Sequence, residues 1–121
     1  TIAGLVVIND STPEKLEQEI KSAGFFIIEQ PTVVEFMSPS CMACIYSRPT
    51  VSAMKDKFSD QVDFIVVNVK ESEAMDLVLK YKVRSTPTFI MFGSDGLEKT
   101  RFSGLARSKI MQESIEMILE N

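Results

Sequence analysis

The stretch that most constrains the fold is a pair of cysteines between a predicted strand and a predicted helix. Residues 32–37 form an apolar run rich in β-branched side chains, which is typical of a buried strand. Cys41 and Cys44, the only cysteines in the sequence, follow this run with two residues between them. A helix is predicted next, because apolar side chains recur on one face at Val51, Met54 and Phe58. The pair is therefore predicted to lie at a strand-to-helix junction, with Cys41 near the helix N-terminus.

This position predicts a reactive thiol. The first N–H groups of a helix have no intrahelical partners and the helix dipole is positive there, so a thiolate is stabilised. Cys41 should therefore have a lowered pKa, and Cys44, about one helical turn later, is close enough to form a disulfide with it. A reactive thiol beside a second thiol is the minimum for thiol–disulfide exchange. The motif alone leaves two other interpretations open, namely half of a metal site or two unrelated core cysteines.

Composition narrows the class of protein. The 121 residues suffice for one domain, predicted to span residues 1–121, and a hydrophobic content of 45% is ordinary for a globular chain. The net charge of −4 argues against a nucleic-acid or anionic-membrane surface, and no apolar run approaches the length of a membrane-spanning helix. The absence of histidine excludes a Cys–His nucleophile pair and a Cys/His zinc site.

The cysteine usage favours a cytoplasmic protein. Two cysteines at this spacing do not form the disulfide framework of a small secreted domain. No signal peptide is visible, but the chain begins at Thr1 rather than Met, so an exported mature form stays open as an alternative.

The predicted elements alternate in type along the chain. Strands are predicted at 5–8, 32–37, 62–68, 89–92 and around 101–102, and helices at 11–23, after the cysteine pair, at 72–81 and after 108. Ser72 and Ser108 are the predicted N-caps of the last two helices. The apolar run 25–28 is either an extra strand or a connection packed over the core. The order β-α-β-α-β-α-β-β-α predicts an α/β fold in which helices join parallel strands and a turn at 94–96 joins a final antiparallel hairpin.

Taken together, these features resemble the thioredoxin family over nearly the whole chain. Cys41 and Cys44 match the redox pair, and Glu35 stands in the preceding strand, where thioredoxins commonly carry a buried aspartate. Pro49 matches the proline that bends the helix, and residues 86–88, Thr-Pro-Thr, match the segment whose proline is cis. The resemblance implies the thioredoxin fold, with a central mixed β-sheet flanked by helices.

The resemblance implies a role for each matching residue. Cys41 is the attacking thiol and Cys44 the resolving thiol of a dithiol–disulfide cycle. Pro87 faces the pair and shapes the substrate groove, and Glu35 lies beneath the disulfide and handles protons. Glu35 is also predicted to stand among apolar neighbours, in a strand covered on both faces, with no lysine evident beside it. Burial should therefore raise its pKa towards neutrality.

Three further residues, Met42, Ala43 and Thr86, are predicted to contact client proteins. Met42 and Ala43 lie between the cysteines, where thioredoxins typically have Gly-Pro, and Ser40 stands where they typically have tryptophan. Thr86 precedes Pro87 and is expected to present its backbone to an extended peptide, a form of strand addition.

The predicted function is that of a protein disulfide oxidoreductase, an enzyme of electron transport and redox homeostasis that reduces protein disulfides. We expect a monomer with no bound cofactor or metal, which takes its electrons from a separate reductase. The alternative is a thioredoxin-fold binding module with little turnover, or one that shares a metal cluster between two chains. Sharing would be needed because two thiolates supply half of the four ligands that such sites usually have.

Overall fold

A computed structural model of the chain describes residues 28–119. Four strands and three α-helices occur in this part, in the order β1 (Thr32–Met37), α1 (Met42–Phe58), β2 (Asp63–Asn68), a short 3-10 helix (Ser72–Ala74), α2 (Met75–Lys80), β3 (Thr88–Phe92), β4 (Glu98–Ser103) and α3 (Ser108–Leu119). The strand predicted at 5–8, the helix predicted at 11–23 and most of the apolar run 25–28 lie outside the described residues. Ile28, the last residue of that run, packs against the core.

The four strands form one mixed sheet in the order β2-β1-β3-β4. β1 and β2 are parallel, and helix α1 makes the crossover between them. β3 is antiparallel to both β1 and β4. The turn between β3 and β4 depends on Gly96, which has a φ of 83° and donates its N–H to the Gly93 carbonyl oxygen at 2.9 Å. This is the mixed α/β arrangement predicted from the sequence, with a helix joining the parallel pair and a turn joining the hairpin.

Alternation along the strands divides the apolar side chains between two cores. One core lies under α2 and contains Val34, Phe36, Ile65, Val67, Leu77, Ile90 and Phe92. The other lies under α1 and α3 and contains Val33, Met54, Phe58, Phe89, Met91, Met111 and Ile115. Successive residues of β1 therefore face opposite sides of the sheet. Glu35, two residues after Val33 and paired with Phe89, belongs to the face that α1 covers.

Two predicted helix starts are wrong in detail. Ser72 does not cap an α-helix but opens the 3-10 helix, whose N-cap is Glu71 without a side-chain hydrogen bond. In this tighter turn the Ala74 N–H donates to the Glu71 carbonyl oxygen at 3.0 Å, which buries Ala74 in the core before α2 begins. Ser108 is the first residue of α3 rather than its cap, and the carbonyl of Arg107 accepts a hydrogen bond from the first turn. Within the described part of the chain, every helix falls short of the length and apolar content needed to cross a bilayer.

Candidate active site

Cys41 occupies the N-cap position of α1, at the junction predicted from the sequence. Its backbone is extended, with φ −83° and ψ 115°, and its Sγ accepts a hydrogen bond from the Cys44 N–H at 3.0 Å. The sulfur thus takes the place of the usual capping oxygen and binds one of the N–H groups that have no helical partner. Within α1, all of which is described, the first turn contains no acidic residue to oppose a negative charge on this sulfur.

The two thiols, both free, have opposite shifts in pKa. Desolvation disfavours ionisation of Cys41, but hydrogen bonds from the side chains of Cys44 and Thr86 and from the backbone of Cys44 and Ala43 outweigh it and lower the Cys41 pKa. Cys44 is only 3% exposed, and desolvation, followed by its hydrogen bond to Cys41, raises its pKa to about 11. The pair therefore combines a partly exposed sulfur that ionises readily with a buried sulfur that keeps its proton.

The loop between α2 and β3 faces Cys41. The thiol of Cys41 donates to the Thr86 carbonyl oxygen at 3.4 Å, which brings the loop against the cysteine pair. The Thr86–Pro87 peptide bond is cis, as the family resemblance implied. Pro87 is buried, and its carbonyl oxygen accepts a hydrogen bond from the Gly104 N–H at 2.9 Å. The structure therefore brings together Cys41, Thr86 and Pro87, three of the residues singled out in the sequence.

A pair of hydroxyl groups that the sequence did not reveal holds this loop in place. Thr88 Oγ1 donates to the Ser85 carbonyl oxygen at 2.7 Å, and it lies 2.8 Å from the Ser103 hydroxyl on β4. Because Thr88 has one hydroxyl proton, Ser103 is the donor in the second bond. Thr88 is only 2% exposed, whereas Ser103 is exposed, so of the two hydroxyls only that of Thr88 is shielded from water. The one sequence feature that could have indicated this contact is Thr88 itself, a threonine directly after Pro87 at the start of a buried strand.

Glu35 is partly buried on the face of β1 that α1 covers. Desolvation raises its pKa, as predicted, while the positive charges of Lys55 and then Arg48 act in the opposite direction. The sequence had made no lysine evident beside Glu35, but the charge of Lys55 acts on this carboxyl. Lys55 and Arg48 stand seven residues apart on α1, which places them on the same side of that helix.

Comparisons with known proteins assign the chain to a family. The family model described as Thioredoxin matches residues 7–117. The chain belongs to the thioredoxin family. It is 29% identical over 120 residues to the M-type chloroplastic thioredoxin of Brassica napus, an alignment that covers 99% of this chain and 62% of that protein. It is 23% identical over 92 residues to the thiol:disulfide interchange protein TxlA of Synechococcus elongatus, covering 76% of this chain and 48% of that protein. The chain thus spans between about half and 62% of the length of these curated relatives.

Solved structures confirm the thioredoxin fold. The thioredoxin of Fasciola hepatica superimposes with a TM-score of 0.66 at 30% identity, covering 87% of this chain and 89% of that one. The oxidised mitochondrial thioredoxin 3 of Saccharomyces cerevisiae gives a TM-score of 0.65 at 22% identity, covering 86% of this chain and 88% of that one. The predicted α/β class and family are therefore both confirmed.

The residues between the cysteines are accessible in this member of the thioredoxin family. Met42 is 56% exposed, and Ala43 is partly exposed. The carbonyl oxygen of Ala43 accepts a hydrogen bond from the fully buried Ser47 hydroxyl at 2.7 Å, and the same hydroxyl accepts from the Ala106 N–H at 2.9 Å. Ser47 therefore joins the first turns of α1 to the connection between β4 and α3. The sequence did not mark this residue.

The described residues offer little for a metal. In the range 28–119 no cluster of three or more cysteine, aspartate or glutamate side chains is placed to hold an ion. Asp63 is a buried carboxyl at the start of β2. Desolvation raises its pKa, and a hydrogen bond from the Gln30 side chain acts in the opposite direction. Asp63 lies where β2 begins, and β1 runs parallel to β2. The Cys41 loop follows the end of β1, so Asp63 lies at the opposite edge of the sheet from the cysteine pair.

Proposed function

We propose that this thioredoxin is a protein disulfide oxidoreductase that reduces client disulfides through a Cys41/Cys44 dithiol–disulfide cycle. The observation that carries the proposal is the placement of the two sulfurs, since Cys41 Sγ caps α1 and accepts the Cys44 N–H at 3.0 Å while Cys44 is buried. This placement agrees with the lowered pKa of Cys41 and with the pKa of Cys44, which is raised to about 11. Two successive exchange steps require a first thiol that ionises readily and a second thiol that stays protonated until the mixed disulfide has formed. The membership of the thioredoxin family supports the same reaction class.

In the first step, the Cys41 thiolate attacks one sulfur of the client disulfide. A bond forms between that sulfur and Cys41 Sγ, the client S–S bond breaks, and the departing client thiolate takes a proton from solvent. In the second step, Cys44 loses its proton and attacks Cys41 Sγ. The Cys41–Cys44 disulfide forms, the mixed disulfide breaks, and the second client sulfur leaves as a thiolate and is protonated. Two electrons pass to the client and the cysteine pair is left oxidised.

The first step prepares the second. Both the hydrogen bond to Cys41 and the charge of its thiolate help to raise the pKa of Cys44. Forming the mixed disulfide removes that charge, but desolvation of Cys44 remains, so a base is needed to take its proton. We assign this role to Glu35, directly or through one water. Its partial burial, its raised pKa and its place on the face of β1 that α1 covers support the assignment.

The residues around Cys41 are proposed to bind the client. Thr86 offers its backbone beside Cys41 and Pro87 fixes the direction of that segment, so an extended client chain can lie along it. The exposed Met42 side chain and the partly exposed Ala43 add apolar contact next to the attacking sulfur.

Electrons for each new cycle are proposed to come from a separate reductase, with no bound cofactor and with the protein acting as a monomer. A cytoplasmic location stays a prediction. The relatives named as chloroplastic, from Brassica napus and Spinacia oleracea, support a plastid as the competing compartment. Imaging of the tagged full-length protein in its own cells would decide between them.

The test is reduction of insulin disulfides with a chemical or enzymatic electron donor. Cys41→Ser should abolish turnover because the attacking sulfur is lost. Cys44→Ser should accumulate mixed disulfides, visible by mass spectrometry, because the first step still occurs and the second cannot. Full activity in Cys41→Ser would overturn the proposal. Stoichiometric metal in anaerobically purified protein, without turnover, would favour the binding module instead.

A further inference from the structure

We propose that the cavity beside Cys41 selects clients that carry an acidic residue next to the disulfide, through Lys70 and Arg84. The inference rests on the proposed function and names the class of client for that site.

The cavity includes the residue that carries the attacking sulfur. It has a volume of about 470 Å³, and Cys41 and Thr86 are among the residues that line it. Three valines, Val69, Val78 and Val83, supply apolar lining. A client sulfur that reaches Cys41 must bring the residues on either side of it into this space, because they are joined to it by only a few bonds. The side chains that line the cavity therefore contact the residues that flank the target cysteine.

The two cations of the lining stand on segments whose backbone is fixed. Lys70 follows β2, and its N–H donates to the Asn68 side-chain oxygen at 2.9 Å. Arg84 follows the end of α2, where Lys82 adopts a φ of 55° and the Val83 N–H donates to the Val78 carbonyl oxygen at 3.0 Å. This six-to-one hydrogen bond, together with a left-handed residue, is the Schellman ending of a helix. It turns the chain so that Val83 and Arg84 both reach the cavity.

Both cations are available to a client. Lys70 and Arg84 are exposed, and within residues 28–119 neither forms a salt bridge. Ion pairs do form elsewhere in this part of the chain, for example between Arg101 and Glu98. None of the described residues that line the cavity is acidic. The chain as a whole carries a net charge of −4, whereas both charged side chains among the described residues that line the cavity are positive.

Charge complementarity therefore identifies the client. An acidic side chain beside the target disulfide gains attraction at the cavity, whereas a basic one is repelled by Lys70 and Arg84. Each exposed ion pair changes an equilibrium or a rate by about 1.4- to 5-fold. We therefore expect this thioredoxin to reduce an acid-flanked disulfide about 3-fold or more faster than a neutral one.

The experiment compares three synthetic peptides that share one intramolecular disulfide. They differ only in having Glu, Gln or Lys on both sides of the two cysteines. Each kcat/KM is divided by the rate at which dithiothreitol reduces the same peptide, because neighbouring charges also alter the intrinsic reactivity of the cysteines. The expected order is Glu above Gln above Lys at about 0.01 M salt. The order should weaken at about 1 M salt, where the screening length falls from about 30 Å to about 3 Å.

The double variant Lys70→Gln/Arg84→Gln should bring the Glu-to-Gln ratio to about 1. Lys57→Gln is the control for loss of a positive charge elsewhere, to be compared with each single variant, Lys70→Gln and Arg84→Gln. It removes one positive charge from the last turn of α1, the helix end opposite Cys41, and should keep the parent ratio. Equal corrected rates for the three peptides in the parent would overturn the inference alone. The inference would also be overturned if the parent prefers the Glu peptide and the double variant keeps the same preference. If the parent protein reduces none of the three peptides, both the proposed function and this inference are refuted.

Discussion

The opposed pKa values of the two thiols predict that an alkylating reagent will distinguish them strongly. In the reduced protein at pH 8, iodoacetamide should modify Cys41 and leave Cys44 largely intact. The Cys44 N–H donates to the Cys41 sulfur at 3.0 Å and stabilises a thiolate there. The Cys44 side chain itself is buried, and this desolvation disfavours a charge on its sulfur.

The size of the difference follows from the ionised fractions. With a pKa of about 11, Cys44 is about 0.1% thiolate at pH 8, whereas an ordinary thiol with the reference value of 9.0 is about 10% thiolate. Cys41 exceeds that fraction because its pKa is lowered. The more basic Cys44 thiolate is a better nucleophile, which recovers about 6- to 10-fold over two pKa units. A preference for Cys41 of at least about 10-fold remains, and the 3% exposure of Cys44 enlarges it.

The assay is a time course of alkylation from pH 5 to pH 9, with each site read by peptide mapping. Cys41 labelling should rise with pH and level off near its lowered pKa, whereas Cys44 labelling should still be rising at pH 9. The control is the chain in concentrated guanidinium, where both cysteines lose their environment and should react at similar rates. Equal labelling of the two sites in the folded protein at pH 8, or faster labelling of Cys44, would refute the reasoning.

Two further predictions concern residues behind the site. Ser47→Ala should lower the free energy of unfolding by about 1–3 kcal/mol in urea titrations, because the Ala106 N–H loses its buried acceptor. The control is Ser52→Ala at an exposed position, which should change the free energy of unfolding by less than about 0.5 kcal/mol. Equal effects of the two substitutions would contradict this prediction. Glu35→Gln should slow resolution of the mixed disulfide by Cys44 about 10²-fold while sparing its formation. Glu35→Gln should also raise the free energy of unfolding. This increase should be absent below pH 4.5 and should grow as pH rises through the raised pKa of Glu35. Equal rates of mixed-disulfide resolution for the variant and the parent in stopped-flow assays would remove Glu35 from the mechanism.

The fold could be predicted from the sequence because its determinants are local. The apolar, β-branched run of β1 and the apolar face of α1 each extend over neighbouring positions, so the pattern predicts the element. The place of Cys41 at the helix start follows from the same local patterns. The tight turn at Gly96 is likewise signalled by adjacent residues.

The contacts that hold the site together could not be predicted in this way, because they join distant parts of the chain. The Thr88 and Ser103 hydroxyls are 15 residues apart, and Ser47 and Ala106 are 59 apart. Nothing in the local pattern at either end marks such a partner. The cations that act on Glu35 were missed for the same reason, since they reach it through the packing of α1 on β1.

The departure from the family pattern between the cysteines affects recognition more than chemistry. The Cys41 sulfur is held by the backbone N–H of Cys44, and this donor is present whichever side chains stand at the two intervening positions. Met42 and Ala43 therefore leave the capping bond intact, and the buried environment of Cys44 is likewise set by the core. What changes is the surface that meets a client, which gains an exposed Met42 and has Ser40 in place of an aromatic ring. Beside this altered surface, the cavity lined by Lys70 and Arg84 is the second place at which we propose that clients are selected.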